Sequence, residues 1–251
     1  MHNTNRIRTA VLGVDVDAVT FAEALDILSG VLAGPFIAPF CVYTPNPEMV
    51  MRARADAAFA AALGGGNMVV PDGVGVVLAS RFNRVKLKER VPGCDLARAV
   101  MARGGGLSVY LLGAKPGVCE AAKRNLEAAH PGARITGFHH GYFKDGSAEE
   151  RAIIKEIQAL APDLLLAGLG FPRQELWIAA HKRELPVKVI MGIGGSLDVY
   201  AGAVKRAPAA FRKLGLEWLY RLIRQPSRFG RMLQLPLFML YVVRGAIFNR
   251  R

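Results

Sequence analysis

Short apolar runs alternate with longer amphipathic segments over most of the chain. The runs LSVYLLGA, ARITGFHHG, DLLLAGLG and VKVIMGIGG predict strands, and segments between them, such as 116–130, have the apolar spacing of helices. Ser147 and Glu150 match a capping box, which predicts a helix that starts there and ends at Leu160. Strands that alternate with helices predict an α/β fold, with a mostly parallel, Rossmann-like sheet covered by helices on both faces.

The first hundred residues continue this pattern, with proline-containing loops between the strands and helices. RTAVLGVDVDAVTFAEALDILSGVL predicts one strand followed by a helix that begins near Thr20. FCVYTPNPEMVMRARAD predicts a strand, a proline-rich loop and a helix, and NMVVPDGVGVVLAS repeats that order. The polar and basic stretch 81–92 does not have the composition of a linker. The sequence therefore predicts one α/β body from the N-terminus to about residue 204.

The net charge of +13 is concentrated at the C-terminal end. Residues 205–251 contain eleven Lys and Arg and a single acid, Glu217, so the other residues together carry only +3. We therefore divide the chain into an α/β domain, 1–204, and a basic amphipathic appendage, 205–251. An appendage with this charge indicates an anionic partner.

The cysteines and the apolar runs indicate the cellular compartment of the protein and whether it crosses a membrane. Cys41, Cys94 and Cys119 are odd in number and far apart, which predicts free thiols in a reducing compartment. The N-terminus lacks the apolar segment of a secretory signal. The run 233–243 is interrupted by Gln234 and Pro236 and is shorter than the roughly 20 residues that a membrane span needs. We therefore expect a protein that does not cross a membrane.

Four loops are predicted to follow strands, and ligands of open α/β sheets bind at such carboxyl ends. They are TPNPE at 44–48, PDGVG at 71–75, GLGFPRQE at 168–175 and GIGGSLD at 192–198. The two glycine loops, which contain Gly170 and Gly194, have backbone amides that can hold a phosphate. Neither completes a dinucleotide fingerprint, because Arg173 and Leu197 occupy its third glycine position. The alternatives are a phosphate-bearing ligand other than NAD and simple tight turns.

Asp72 lies between Pro71 and Gly73, directly after an apolar run. A carboxylate on such a sharply turned loop can accept a proton from a substrate hydroxyl and act as a general base. The alternative is an Asx turn that caps the next helix. Thr44 and Asn46 have the same two interpretations, as pocket residues or as helix caps.

Two patterns resemble metal sites and are interpreted otherwise. Asp15-Val16-Asp17 matches a metal-binding D-x-D, but no other acidic cluster is near it in the sequence, so a solvated strand end is favoured. His139-His140 has no Cys, Asp or Glu at a ligand spacing, so a pair at a strand end is favoured. We expect no metal and no cofactor.

The order of the motifs is more specific than any one of them. TPNPEMV, VVPDGVGVV, ERVPGCDL, LLGAKPGV, PDLLLAGLGFPRQELWI, MGIGGSLDVYAGAVKRAP and GLEWLYRLIRQPSR together resemble the WecG/TagA/CpsF family of bacterial glycosyltransferases, over about residues 11–231. The resemblance implies an inverting transfer of N-acetylmannosamine, its uronic acid or glucose from a UDP-sugar. The implied acceptor is linked to a polyprenyl diphosphate at the cytoplasmic face of the membrane. The family is regarded as metal-independent.

The resemblance also implies roles for individual residues. Asp72 corresponds to the catalytic base, and Thr44 lies beside it in the catalytic pocket. The predicted substrate-binding residues are Asn46, Arg90, Gly170, Gln174, Gly194 and Asp198. The arginines that resemble those expected to meet the acceptor diphosphate are Arg221, Arg228 and Arg231. One departure is Gln225, where the family commonly has Glu.

A lipid-linked acceptor at the membrane would explain why the appendage is basic. Its cations suit the anionic inner surface of the bacterial membrane, at about 1 kcal/mol per basic residue. Its aromatic residues can lie at headgroup level; these are Trp218, Tyr220, Phe229, Phe238 and Tyr241. We expect a peripheral membrane enzyme that binds no nucleic acid. The alternatives are a nucleic-acid-binding α/β protein that uses the same segment and an appendage that packs in a homo-oligomer interface.

Overall fold

The structure is a computed structural model that describes residues 6–208, 210–211, 215–224, 230 and 234–248. Its centre is a six-stranded, fully parallel sheet with the strand order β4-β3-β8-β7-β5-β6. The strands are β3 (Phe40–Tyr43), β4 (Met68–Val69), β5 (Leu107–Gly113), β6 (Ala133–His139), β7 (Leu164–Gly168) and β8 (Val189–Gly192). Each of these strands was predicted, and the parallel α/β sheet is confirmed.

Helices cover both faces of the sheet because alternate strand residues are apolar on both sides. Val109 and Leu111 of β5 point into one core, whereas Tyr110 and Leu112 point into the other. The first core is closed by α1 (Phe21–Ala33), α5 (Gly93–Arg103), α6 (Val118–Ala129) and α9 (Ser196–Tyr200). The second is closed by α2 (Pro47–Ala55), α3 (Ala57–Gly64), α4 (Val74–Ala79), α7 (Ala148–Leu160), α8 (Arg173–His181) and α11 (Gln234–Phe248). The remaining helix of this numbering is α10 (Glu217–Arg224).

Side-chain caps start several of these helices. Thr20 and Glu23 form a complete capping box at α1, as the predicted start near Thr20 requires. At α7 the Ser147 side chain accepts a hydrogen bond from the Glu150 backbone, but the Glu150 carboxylate reaches Gly146 instead of Ser147. The capping box predicted at Ser147 is therefore only half formed.

The N-terminal segment is a hairpin and not the single strand that was predicted. β1 (Arg8–Val11) pairs antiparallel with β2 (Val14–Asp17) in a separate two-stranded sheet. The two connecting residues, Leu12 and Gly13, have φ values of 50° and 90°. Positive φ at both positions is the geometry of the tight hairpin turn whose twist matches the paired strands.

Asp17 is not the solvated strand end that was expected. Its side chain is fully buried, and its Oδ1 atom lies 3.0 Å from Nε of both Arg6 and Arg8. Its Oδ2 atom accepts a hydrogen bond of 2.7 Å from the backbone of Val69 in β4. A buried carboxylate must be paired in this way, and here it attaches the hairpin to the main sheet. Asp15 of the same motif is exposed.

The last helix packs on the α/β body. Phe238 of α11 is fully buried in the second core, and Val242 is 6% exposed. The guanidinium of Arg54 lies 4.5 Å from the centre of the Tyr241 ring. The prediction that Phe238 lies at a membrane surface is therefore wrong, because that side chain fills the space against α2 and α4. Among the described residues, no helix combines the length and apolar character needed to cross a bilayer.

Candidate active site

The four predicted loops lie side by side at one edge of the sheet. They follow β4, β3, β8 and β7, which are neighbours in that order. Because all these strands are parallel, their carboxyl ends and the loops after them meet at the same edge. The four motifs therefore lie at one edge of the sheet, and a common ligand site there stays a prediction.

Asp72 is held between the loop after β3 and the start of α5. Its backbone N–H donates to the carbonyl oxygen of Pro45 at 3.1 Å. Its Oδ2 atom accepts a hydrogen bond of 3.3 Å from the backbone nitrogen of Gly93, the first residue of α5. A helix N-terminus stabilises a carboxylate in this position. The next helix, α4, begins at Val74 after the N-cap Gly73, and the Asx turn at Asp72 stays an alternative.

Thr44 lies on the other side of Gly93 from Asp72. Its hydroxyl donates to the carbonyl oxygen of Gly192 at 3.3 Å, which joins the loops after β3 and β8. A Cβ atom at position 93 would lie 2.9 Å from both Oγ1 and Cγ2 of Thr44, closer than real Cβ contacts. Gly93 therefore allows Thr44 and Asp72 to share the start of α5. Sequence reasoning missed Gly93, although it stands in the quoted motif ERVPGCDL.

Arg90 places a positive charge beside Asp72. Its Nε atom lies 3.9 Å from Oδ1 of Asp72, and its Nη2 atom donates to Oε2 of Glu217 at 2.9 Å. The Arg90 side chain is 19% exposed and that of Glu217 is 11% exposed. Glu217 was not predicted as a site residue, although it is the single acid of the basic appendage.

Gln174 lies beneath the loops and is not open to solvent. It is 4% exposed, its Oε1 atom accepts a hydrogen bond of 2.9 Å from the Gly194 backbone, and its Nε2 atom donates to Glu175. A Cβ atom at Gly192 would lie 2.4 Å from that Nε2 atom, so a side chain there would displace the Gln174 amide. The observed role of Gln174 is to position the loop after β8, and direct substrate contact stays a prediction.

Glu175 is a buried acid that the sequence did not single out. It is fully buried, and burial raises its pKa from 4.5 to about 7. Among the described residues, its Oε2 atom and the buried hydroxyl of Tyr43 have no hydrogen-bond partner. Burial also raises the pKa of Tyr43, and the charge of Glu175 adds to that effect. A protonated Glu175 avoids placing an unbalanced charge in this core.

The glycine loops are tight turns that pack on each other. Gly170 and Gly194 have φ values of 75° and 51°, in the region that favours glycine. A Cβ atom at Gly168 would lie 2.8 Å from the carbonyl oxygen of Gly194. The backbone amide of Gly194 already donates to Gln174, so that amide is not free to hold a phosphate. The tight-turn interpretation describes Gly194, and a ligand at Gly170 stays a prediction.

Asn46 and Asp198 border the same edge. The Oδ1 atom of Asn46 caps α2 by accepting a hydrogen bond of 3.0 Å from the Met49 backbone, as the capping alternative expected. Asp198 lies half-buried in the first turn of α9, and its backbone oxygen accepts from Val204 at 3.1 Å. Substrate binding by either residue stays a prediction.

Of the three predicted diphosphate-binding arginines, Arg228 and Arg231 lie outside the described residues. Arg221 belongs to α10, but its side chain is outside the described part. Their predicted role therefore remains untested. The three cysteines, Cys41, Cys94 and Cys119, lie in the described part and are free thiols, as predicted.

One histidine pair does have an acidic neighbour. Atoms that could bind a metal in His139, His140 and Glu149 lie within 4.8 Å of one another, because α7 starts beside the end of β6. The pair lies at the end of β6, as the sequence favoured, and Glu149 is an acidic neighbour that the sequence spacing did not indicate. β6 is the edge strand farthest from β4, so this group lies at the opposite side of the sheet from the loop of Asp72.

The fold and the site define a class of protein: a parallel α/β enzyme whose carboxyl edge presents a half-buried acid beside an arginine and a helix N-terminus. The sequence model of the Glycosyl transferase WecG/TagA/CpsF family matches residues 9–251, and the chain belongs to that family. It is a glycosyltransferase.

Curated relatives agree with this assignment over nearly their whole length. Proteins of Staphylococcus aureus strains MRSA252 and MW2 are each 36% identical over 244 residues, which cover 96% of this chain and 94% of the relative. Both are named N-acetylglucosaminyldiphosphoundecaprenol N-acetyl-beta-D-mannosaminyltransferase. The family resemblance stated from the motifs is thereby confirmed.

Proposed function

We propose that this chain is an inverting glycosyltransferase that moves a sugar of the N-acetylmannosamine, mannosaminuronate or glucose type from a UDP-sugar. The acceptor is a saccharide linked to undecaprenyl diphosphate, and the product enters cell-surface polysaccharide synthesis. The names of the relatives favour N-acetylmannosamine as the sugar and a diphosphoundecaprenol-linked N-acetylglucosamine as the acceptor. The observation that carries the proposal is the Asp72 carboxylate beside Arg90 at the carboxyl edge of the sheet.

Asp72 is the general base of the proposed reaction. The acceptor hydroxyl attacks the anomeric carbon of the donor, and its proton passes to the Asp72 carboxylate as the new C–O bond forms. The bond between the anomeric carbon and the UDP oxygen breaks, and UDP leaves with the electron pair. Attack from the face opposite the leaving group inverts the anomeric configuration. The hydrogen bond from Gly93 fixes the carboxylate orientation that this attack needs.

The leaving diphosphate gains negative charge as the bond breaks, and cations at the site stabilise that charge. Arg90 is the described cation beside Asp72 that we assign to this role, because its planar guanidinium suits phosphate oxygens. The predicted diphosphate-binding arginines of the appendage would add to it. We therefore propose a reaction that needs no metal ion.

We also propose that the enzyme works peripherally on the cytoplasmic membrane face, where its lipid-linked acceptor lies. The described part of the appendage exposes apolar side chains, with Leu240 and Ile223 more than 60% exposed. These side chains lie in a segment of strongly positive charge, the combination that favours binding to anionic lipid.

The test of the proposed function is a donor panel with purified protein. UDP-N-acetylmannosamine, its uronate, UDP-glucose and UDP-N-acetylglucosamine are each supplied with a short-chain lipid-diphosphate saccharide, with and without EDTA. We expect EDTA-resistant transfer from one donor. Absence of transfer from every donor to a diphosphate-linked N-acetylglucosamine acceptor would contradict the proposal.

The base is tested by Asp72→Asn, which keeps the shape of the side chain and removes its capacity to take a proton. We expect a loss of at least about a hundredfold in kcat, the low end for a general base, while UDP still binds by calorimetry. Asp26→Asn is the matched control, because Asp26 pairs with Arg103 at the exposed surface. Near-normal turnover by Asp72→Asn would refute the assignment.

A further inference from the structure

Five charged side chains of alternating sign connect Asp72 to the C-terminal segment. The order is Asp72, Arg90, Glu217, Arg206 and Asp95. Arg206 and Asp95 form a forked ion pair, with Nη2 of Arg206 2.5 Å from Oδ2 of Asp95. The hydrogen bonds that Arg206 donates to Asp95 raise the pKa of Arg206, and the charge of Glu217 acts in the same direction. Glu217 therefore interacts with two arginines, with Arg90 of the α/β domain through a hydrogen bond and with Arg206 of the appendage electrostatically.

Glu217 and Asp72 compete for one guanidinium. Arg90 is hydrogen-bonded to Glu217 at 2.9 Å, whereas its distance to Asp72 is 3.9 Å, the longer of the two separations. Arg90 and Glu217 are both mostly buried, so water screens their interaction less than it screens a surface pair. In this arrangement Arg90 stays near Asp72 without forming a close ion pair with it.

The backbone that carries Glu217 is fitted to the loop of Asp72. Gly215 has a φ of 72°, and a Cβ atom built there would lie 3.0 Å from Cβ of Val74, the first residue of α4. The start of α10 therefore packs directly against the helix that follows Asp72. In this position Glu217 reaches Arg90 across 127 residues of sequence.

We propose that Glu217 is a positioning residue of the transferase, which holds the Arg90 guanidinium away from a close ion pair with the Asp72 carboxylate. This inference rests on the proposed function. Without the Glu217 carboxylate, Arg90 turns towards Asp72 and forms a close pair with it. That pair occupies the oxygen that must take the acceptor proton.

The test is a double-mutant cycle measured as kcat and KM. Glu217→Gln keeps the size of the side chain and removes its charge, and we expect kcat to fall about tenfold, within the range measured for residues in contact. The donor KM should change less than kcat, because both the proton transfer to Asp72 and the charge on the leaving diphosphate develop only in the transition state. Asp26→Asn, which removes an exposed carboxylate–arginine pair, is the control and should match the wild type.

A variant at Arg90 distinguishes a positioning role of Glu217 from a merely structural one. If Glu217 acts through Arg90, then Glu217→Gln causes no further loss of kcat in a protein that already carries Arg90→Gln. Glu217→Asp keeps the charge and should recover part of the wild-type kcat. Thermal unfolding of each variant checks that the fold is intact.

The results separate this inference from the proposed function. Activity of the wild type together with an unaffected Glu217→Gln, or with kcat losses that multiply in the double variant, would overturn the positioning role alone. A wild type that transfers no sugar from any donor would overturn both.

Discussion

The side-chain amide of Gln174 donates to the carboxyl group of Glu175 at 2.7 Å, at a buried position beneath the loop after β8. The other end of the same amide accepts the Gly194 N–H. Gln174 can make both bonds only in one orientation of its amide, and Glu175 selects that orientation. An acid whose pKa is raised to about 7 by burial thus supports the edge of the candidate site.

This acid should make stability depend on pH. The pKa of Glu175 is about 7 in the folded protein and 4.5 as its model value, so the folded state binds more protons between those values. Its contribution to the free energy of unfolding is therefore complete below about pH 4.5 and is lost as the pH rises through 7. We expect Glu175→Gln, which does not titrate, to gain up to about 3 kcal/mol relative to wild type between pH 5 and 8.

Urea unfolding at several pH values measures this difference. Glu120→Gln is the control, since Glu120 is exposed and the same substitution there should leave the pH dependence unchanged. Parallel stability curves for wild type and Glu175→Gln would show that Glu175 is ionised in the folded protein.

The two acids of the D-x-D motif should behave differently. Asp17→Asn leaves Arg6 and Arg8 without their shared buried carboxylate, and we expect a loss of about 3 kcal/mol in the free energy of unfolding. Asp15→Asn changes an exposed side chain and should cost less than about 0.5 kcal/mol. Equal costs in urea unfolding would contradict the assignment of Asp17 as the residue that attaches the hairpin.

Substitutions in the last helix should distinguish its membrane binding from its packing on the α/β body. Leu240 is 63% exposed, so Leu240→Glu should weaken binding to phosphatidylglycerol vesicles about tenfold without lowering the melting temperature. Phe238 is fully buried, so Phe238→Ala should cost about 3–5 kcal/mol of stability. Vesicle sedimentation and thermal unfolding measure the two effects. Unchanged vesicle binding by Leu240→Glu would count against membrane docking through this surface.

The sequence predicted the main sheet because its signal is local. Each buried strand is a short apolar run bounded by glycine or proline, and this pattern needs no knowledge of distant residues. The N-terminal hairpin was missed because its turn, Leu12-Gly13, is not one of the common Asn-Gly or Asp-Gly pairs. The alternating run VLGVDVD therefore resembled one continuous strand.

The candidate site was predicted only in part, because its contacts join distant segments. Asp72 and Thr44 follow strands and could be placed on the sheet edge from local pattern alone. Glu217 and Asp17 are charged residues whose burial depends on arginines elsewhere in the chain, and no local pattern indicates that pairing. The same limit applies to Phe238 and Leu240, since tertiary packing decides which apolar side chain of a helix is covered.

The strand order has a consequence for synthesis on the ribosome. β3 lies between β4 and β8, and the hydroxyl of Thr44 bonds to Gly192, 148 residues later. Until β8 has been translated, β3 therefore has an open edge that other strands can pair with. The nascent chain carries Asp72 from an early stage, but the neighbours that complete the site are made last. A chain released before residue 192 would carry the acid beside an edge prone to aggregation, which makes the stage of translation before β8 is complete the vulnerable one for this protein.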